Sequence, residues 1–192
     1  MFIFQSLFKT IMVGLILLLI LIFIAGQPME YGSVWIVFFV RWLHVVSGVM
    51  WVGLLWYFNF VQIPSMPKIP DEQKPAILKF IAPEALFWFR YASLATVITG
   101  SLVALLNGYL VDALSLKGSF VAIGIGMWLA ILMAYNVWFI LWPNQKKALG
   151  IVEVSGDEKK KAAKYAMITS RVNALLSIPM LYMMVAQSHG GI

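Results

Sequence analysis

The sequence of 192 residues contains no cysteine. This absence excludes disulfides, thiolate metal sites, cysteine nucleophiles and the C-x-x-C-H motif that attaches haem covalently. Histidine is scarce too, with two residues, and no carboxylate lies well inside an apolar run. Hydrolytic triads, carboxylate metal pairs and carboxylate proton relays therefore lack their components.

Charged residues are also few, at 11% of the chain against 62% apolar residues, and the mean hydropathy is +0.90. Several windows are long enough and apolar enough to cross a bilayer as helices, whereas the strands of an outer-membrane barrel would alternate. The composition predicts an all-α fold, a polytopic membrane helical bundle of about five transmembrane helices that contact the lipid bilayer.

We predict a single integral membrane domain over residues 1–192, with helices over approximately 9–26, 34–62, 85–110, 119–142 and 165–187. The prolines from Pro64 to Pro70 end the second of these helices. The polar segment 71–84 is expected to form a separate short interfacial helix.

The net charge of +6 comes largely from lysines between apolar runs. That pattern indicates membrane topology, so no nucleic-acid partner is expected. Lys9 and the lysine-rich segments 68–79 and 146–164 fall on one side of the bilayer, and Lys117 on the other. The positive-inside rule then predicts a cytoplasmic N-terminus in a bacterial inner membrane. Segment 146–164 is expected to contact lipid headgroups or to dock an acidic partner.

Segment 41–53, RWLHVVSGVMWVG, places ionisable groups inside an apolar run. At 3.6 residues per turn, one helix face presents Arg41, His44, Gly48, Trp51 and Leu55. Ionisable groups at membrane depth are costly and usually have a partner. These are the residue types of a b-type haem site: an imidazole ligand, a glycine that admits the porphyrin edge, an aromatic wall and an arginine beside the propionates.

A second axial ligand is not evident in the sequence, and His189, a methionine or an open sixth position are the alternatives. In the competing interpretation there is no haem at all. His44 is then a neutral imidazole that bonds a neighbouring helix, and Arg41 reaches the headgroups.

A second polar group is predicted at the opposite end of the helices. This group can bind a small anion or a second propionate pair, or its arginines can reach lipid phosphates. Its members are Arg90, Asn136, Asn144, Arg171 and Asn173.

Small residues recur at every fourth position in the third and fourth predicted helices. This spacing predicts close packing of the two helices as a hairpin. The series are Ala92, Thr96, Gly100 and Ala104, and Ala122, Gly126, Ala130 and Ala134.

Helices 2 and 4 also echo one another. A Met-Trp pair is followed in each by a tyrosine, an asparagine and a proline. The asparagines and prolines are Asn59 with Pro64, and Asn136 with Pro143.

Three segments together resemble the N-terminal membrane domain of bacterial cytochrome-c-linked urate oxidases, also called urate hydroxylases. They are the R-W-L-H…W-x-G helix at 41–53, the P-N-Q-K-K helix end at 143–147, and Asn173 with Pro179. The resemblance covers roughly residues 38–189 and implies a membrane oxidoreductase that passes electrons to cytochrome c. Val172 stands where the family usually has a histidine, and a stand-alone form without the cytochrome c domain is expected.

The motif at 41–53 also resembles that of membrane protoporphyrinogen oxidases, which are haem-associated. The leading expectation is therefore a haem-binding redox or electron-transfer component that works with a cytochrome c or another redox subunit, as a homo- or hetero-oligomer. The alternatives are a haem-free accessory subunit of a membrane complex and, last, an anion transporter that uses Arg90 and Arg171.

Overall fold

A computed structural model describes residues 3–26 and 32–190. The described residues form helices and no strands, and five helices are long and apolar enough to cross a membrane. The predicted fold class is therefore confirmed, while the cytoplasmic placement of the N-terminus stays a prediction. The turn between the first two helices falls at 27–31, outside the described residues.

The chain divides into two compact units, Met1–Ile36 and Val37–Ile192. Helix α1, Leu7–Ala25, dominates the first unit. Beyond Lys9 and Thr10 near its start it is apolar on all sides, as a helix surrounded by lipid needs to be.

The second unit holds the rest of the helices. They are α2 (Val34–Lys68, beginning in the first unit), α3 (Lys74–Leu106), the short α4 (Leu110–Leu114), α5 (Gly118–Leu149) and α6 (Gly156–His189). The short α4 lies in the connection between α3 and α5.

Four helices extend beyond their predicted ranges, and the first of them, α2, continues to Lys68. Helix α3 begins at Lys74, so the predicted interfacial segment is the start of a transmembrane helix. Helix α5 continues through Pro143 to Leu149, where Gly150 ends it in the left-handed conformation. Helix α6 begins at Gly156 because Ser155 caps it.

In α2, α3 and α5 the helix continues through a proline that follows a π-helical segment. The segments are Tyr57–Gln62, Ile77–Ile81 and Asn136–Leu141. Each ends two residues before a proline: Pro64, Pro83 and Pro143. A proline removes one helical hydrogen bond and crowds the preceding turn, and the wider turn accommodates both effects.

The core of the second unit lies where α2, α3, α5 and α6 meet. Trp51 and Leu55 of α2 pack there with Phe89 of α3, Met133 of α5 and Met180 of α6. This core positions the polar groups described next.

Candidate functional site

His44 of α2 is held by the backbone of α3. Its Nδ1 lies 2.9 Å from the carbonyl oxygen of Thr96, and Thr99 Oγ1 lies 3.4 Å from the same nitrogen. A carbonyl oxygen only accepts hydrogen bonds, so Nδ1 carries the proton and donates it. The neutral ring then keeps its lone pair on Nε2, the tautomer in which histidine serves as a metal ligand.

One glycine of α3 makes room for the His44 ring. A Cβ on Gly100 would lie 2.7 Å from His44 Cε1, so the ring occupies the space that a side chain would need. Thr96 of α3 faces Gly48 of α2, and its Cγ2 lies 3.8 Å from the position that a Cβ on Gly48 would take. The glycine-lined face of α2 is therefore filled by α3.

A cavity of about 20 Å³ lies beside the imidazole. Its walls come from four helices: His44 of α2, Gly100 and Ser101 of α3, Met127 of α5 and Met184 of α6, among others. We refer to His44, Met127, Met184 and this cavity as the His44 site. Among the described residues, Nε2 of His44 makes no hydrogen bond.

The other residues predicted for a haem site lie outside this cavity. Trp51 is completely buried in the core, and its Nε1 has no hydrogen-bond partner in the described part of the chain. His189 is exposed at the end of α6, where its Nδ1 lies 3.1 Å from Val185 O of the same helix.

The Arg41 side chain is exposed, and its positive charge interacts electrostatically with Tyr109, which lies in the connection after α3. Burial raises the pKa of the Tyr109 phenol, and the positive charge of Arg41 opposes that rise. The guanidinium therefore lies near the end of the helices at which α3 and α4 meet.

The second predicted cluster separates into distinct environments. Arg90 is 9% exposed and stacks on Trp142, its guanidinium carbon 3.4 Å from the ring centroid. Its Nη1 has no hydrogen-bond partner among residues 3–26 and 32–190. Arg171 is exposed, and Asn144 donates to Ile140 O of its own helix.

Asn136 and Asn173 form a pair of their own. Asn136 Nδ2 donates to Asn173 Oδ1 at 2.9 Å, and Asn173 Nδ2 donates to Met133 O at 3.0 Å. Asn173 is completely buried. The pair joins α5 to α6 and satisfies its own polar groups, so it is not an open anion site.

The sequence interpretation missed two serines that flank Asn173 on α6. Ser170 Oγ accepts from Asn59 Nδ2 at 2.8 Å, and Ser177 Oγ accepts from Trp56 Nε1 at 3.0 Å. We call Ser170, Asn173 and Ser177 the α6 polar seam. Their spacing of three and four residues on an apolar helix was the available signal.

The glycines of the two small-residue series face helices other than the predicted partner. Helices α3 and α5 do contact each other. However, Gly100 faces His44 of α2, and Gly126 faces Met183 and Met184 of α6. Gly100 therefore lines the cavity of the His44 site, and Gly126 lies next to Met184, which also lines it.

Residues 102–191 match the family model described as urate oxidase N-terminal. This part of the chain is therefore similar to the N-terminal domain of urate oxidases. The match covers slightly less than half of the chain. It includes Met127, Asn136, Asn173 and Met184 but not His44. No curated protein and no solved structure matches the chain significantly.

The resemblance inferred from the sequence is thus confirmed for the helix end at 143–147 and for Asn173. The motif at 41–53 lies outside the matched residues. The part played by His44 in a urate oxidase N-terminal-like domain consequently stays a proposal.

Proposed function

We propose that this chain is an integral membrane redox component of the urate oxidase N-terminal type, which holds a metal group at His44 and exchanges electrons with a separate cytochrome c. The observation that carries the proposal is the hydrogen bond from His44 Nδ1 to Thr96 O. It orients the ring and leaves Nε2 as the nitrogen available to a metal, as carbonyl partners do for ligating histidines in general.

Haem b, the cofactor suggested by the sequence, agrees with this site in chemistry but not in size. A neutral imidazole with a bonded Nδ1 is a suitable axial ligand. The adjoining cavity, however, measures about 20 Å³, whereas pockets for larger organic ligands measure about 300–1,000 Å³. The cavity beside His44 is therefore far smaller than a pocket that holds a porphyrin.

The chain's own residues define what the site does. Thr96 fixes the tautomer, Gly100 admits the ring, and mostly apolar side chains line the rest of the cavity. The bilayer surrounds these helices, since five of them are apolar enough to span it. We place the protein in a bacterial inner membrane, where a cytochrome c partner can reach the predicted outer face.

The test is electron exchange with cytochrome c by the protein purified in detergent, after growth with haem precursor, iron and copper. His44→Gln removes the imidazole and keeps a donor for Thr96 O, whereas His189→Gln is the matched control at an exposed histidine. We expect exchange in the wild type and in the control, and its loss in His44→Gln. Equal exchange in all three proteins, or none in any, would overturn the proposal.

An accessory subunit without a metal is the second candidate, favoured by the α6 polar seam. Its three members are buried and hydrogen-bonded to α2 or α5, which is what a purely architectural role requires. Copurification of defined partner subunits that survives His44→Gln would support this candidate.

A further inference from the structure

Three metal-ligating side chains from three helices meet at the small cavity. His44 comes from α2, Met127 from α5 and Met184 from α6. Each of these helices contributes one ligand, so the three ligands come together only when the helices pack. A volume of about 20 Å³ is enough for one water molecule or one small ion.

We propose that His44, Met127 and Met184 bind a single Cu(I) ion. Thioether sulfur is a soft ligand that selects Cu(I), and imidazole nitrogen is an accepted ligand of copper. The three ligands are neutral, and of the described residues that line the cavity none is a carboxylate. A monovalent ion is the one whose charge such a neutral, low-dielectric site tolerates best.

The surroundings of His44 and Met184 agree with this assignment. The proton of His44 lies on Nδ1, bonded to Thr96 O, so Nε2 is free to coordinate. Met184 Sδ lies 3.3 Å from the position that a Cβ on Gly126 would take. The sulfur thus lies against α5 at the residue that precedes Met127.

Two alternatives involve no metal. A water in the cavity needs two to four polar partners, and the polar side chains of the lining are His44, Ser101 and Thr96, whose hydroxyl already donates to Ala92 O. Methionines also fill irregular gaps between helices without any ligand. Both alternatives predict that the two sulfurs are irrelevant to copper binding.

The Cu(I) site shares only His44 with the proposed redox function. Its test therefore measures the binding of copper and does not measure electron exchange. The purified protein is titrated with Cu(I) under anaerobic conditions against a competing chromophoric chelator, and metal content is measured after dialysis. Met127→Leu and Met184→Leu remove one sulfur each at nearly constant volume, a change that cores usually tolerate. Met180→Leu is the matched control, because Met180 is buried in the core but does not line the cavity.

We expect one Cu(I) per chain and an affinity at least about 10-fold weaker in each of Met127→Leu, Met184→Leu and His44→Gln. Met180→Leu should bind as the wild type does. No copper in the wild type, or an affinity unchanged by both methionine substitutions, overturns the proposal and identifies the cavity as a water site or a packing gap.

The outcome is separable from that of the electron-exchange experiment. A His44-dependent b-type spectrum in a copper-free protein would keep the proposed redox function and overturn the Cu(I) site. Methionine-dependent Cu(I) binding without electron exchange would support the Cu(I) site and overturn the redox function.

Discussion

His44 depends on one carbonyl oxygen and one missing side chain of the neighbouring helix. Thr96 O receives its proton, and the absence of a Cβ at Gly100 leaves room for its ring. The ring is only half-buried. We therefore expect small substitutions in α3 to change the orientation of the His44 ring while they leave the fold intact.

Gly100→Ala tests this dependence. The new Cβ would lie 2.7 Å from His44 Cε1, so the ring must turn away and lose its bond to Thr96 O. We expect the free energy of unfolding in detergent to fall by about 0.5–1.5 kcal/mol, together with a loss of electron exchange. Gly48→Ala is the control, since its nearest neighbour would be Thr96 Cγ2 at an ordinary 3.8 Å. Equal behaviour of the two variants would contradict the assignment.

Asn173 is the most constrained polar residue of the α6 polar seam. It accepts from Asn136 and donates to Met133 O while completely buried. Asn173→Ala removes both hydrogen bonds and leaves Asn136 Nδ2 without its partner in a low-dielectric interior. We expect a loss of about 1–2 kcal/mol in the free energy of unfolding, measured by denaturant titration in mixed micelles. Val172→Ala, at the adjacent exposed position, should change it much less.

At the scale of elements, proline placement explains the length of the helices. Proline ordinarily ends or kinks a helix, and the sequence interpretation ended helix 2 at its prolines. The π-helical segments before Pro64, Pro83 and Pro143 let the helices continue instead. The echo noted between helices 2 and 4 extends to this feature, because Asn59 and Asn136 both lie in π-helical segments and both donate to α6.

The start of α6 is set by a side-chain cap. Ser155 Oγ accepts from the backbone N–H of Glu158, and Glu158 also pairs with Lys147 at the end of α5 at 2.6 Å. We expect Ser155→Ala to destabilise the first turns by about 0.5–2 kcal/mol, seen as faster hydrogen exchange of the amides that follow Gly156. Ser155→Asp keeps a capping oxygen and should exchange slowly. If both variants exchange alike, the helix does not depend on this cap.

For the whole molecule, topology is the prediction that matters most for function, because it decides which compartment can reach the His44 end of α2. The lysine distribution predicts that the connection between α3 and α5 lies outside and that the connection between α5 and α6 lies in the cytoplasm. Since the chain has no cysteine, single cysteines can be labelled without background.

Ser115→Cys and Glu153→Cys place one thiol in each of these exposed connections. With a membrane-impermeant maleimide on intact cells, we expect Ser115→Cys to react and Glu153→Cys to react only after lysis. The reverse labelling pattern would place the N-terminus outside and contradict the positive-inside assignment.

The candidate site was predictable only in part. His44 stood out because an imidazole within an apolar run is costly, and Asn173 stood out through the family resemblance. Thr96, Met127 and Met184 carry no such signal, because threonine and methionine are ordinary residues of membrane helices. They come close to His44 only because four helices pack together. The spacing of residues along a single helix does not predict such packing.

The sequence by itself determined the all-α membrane class, the number and approximate place of the long helices and the side preferred by the lysines. These properties follow from the free energy of transferring each segment between water and lipid, which depends on composition. Only the tertiary structure decided that His44 faces Gly100, that Arg90 stacks on Trp142, and that π-helical segments precede Pro64, Pro83 and Pro143. In lipid every apolar face is equally well solvated, so close packing and interhelical hydrogen bonds select which faces meet.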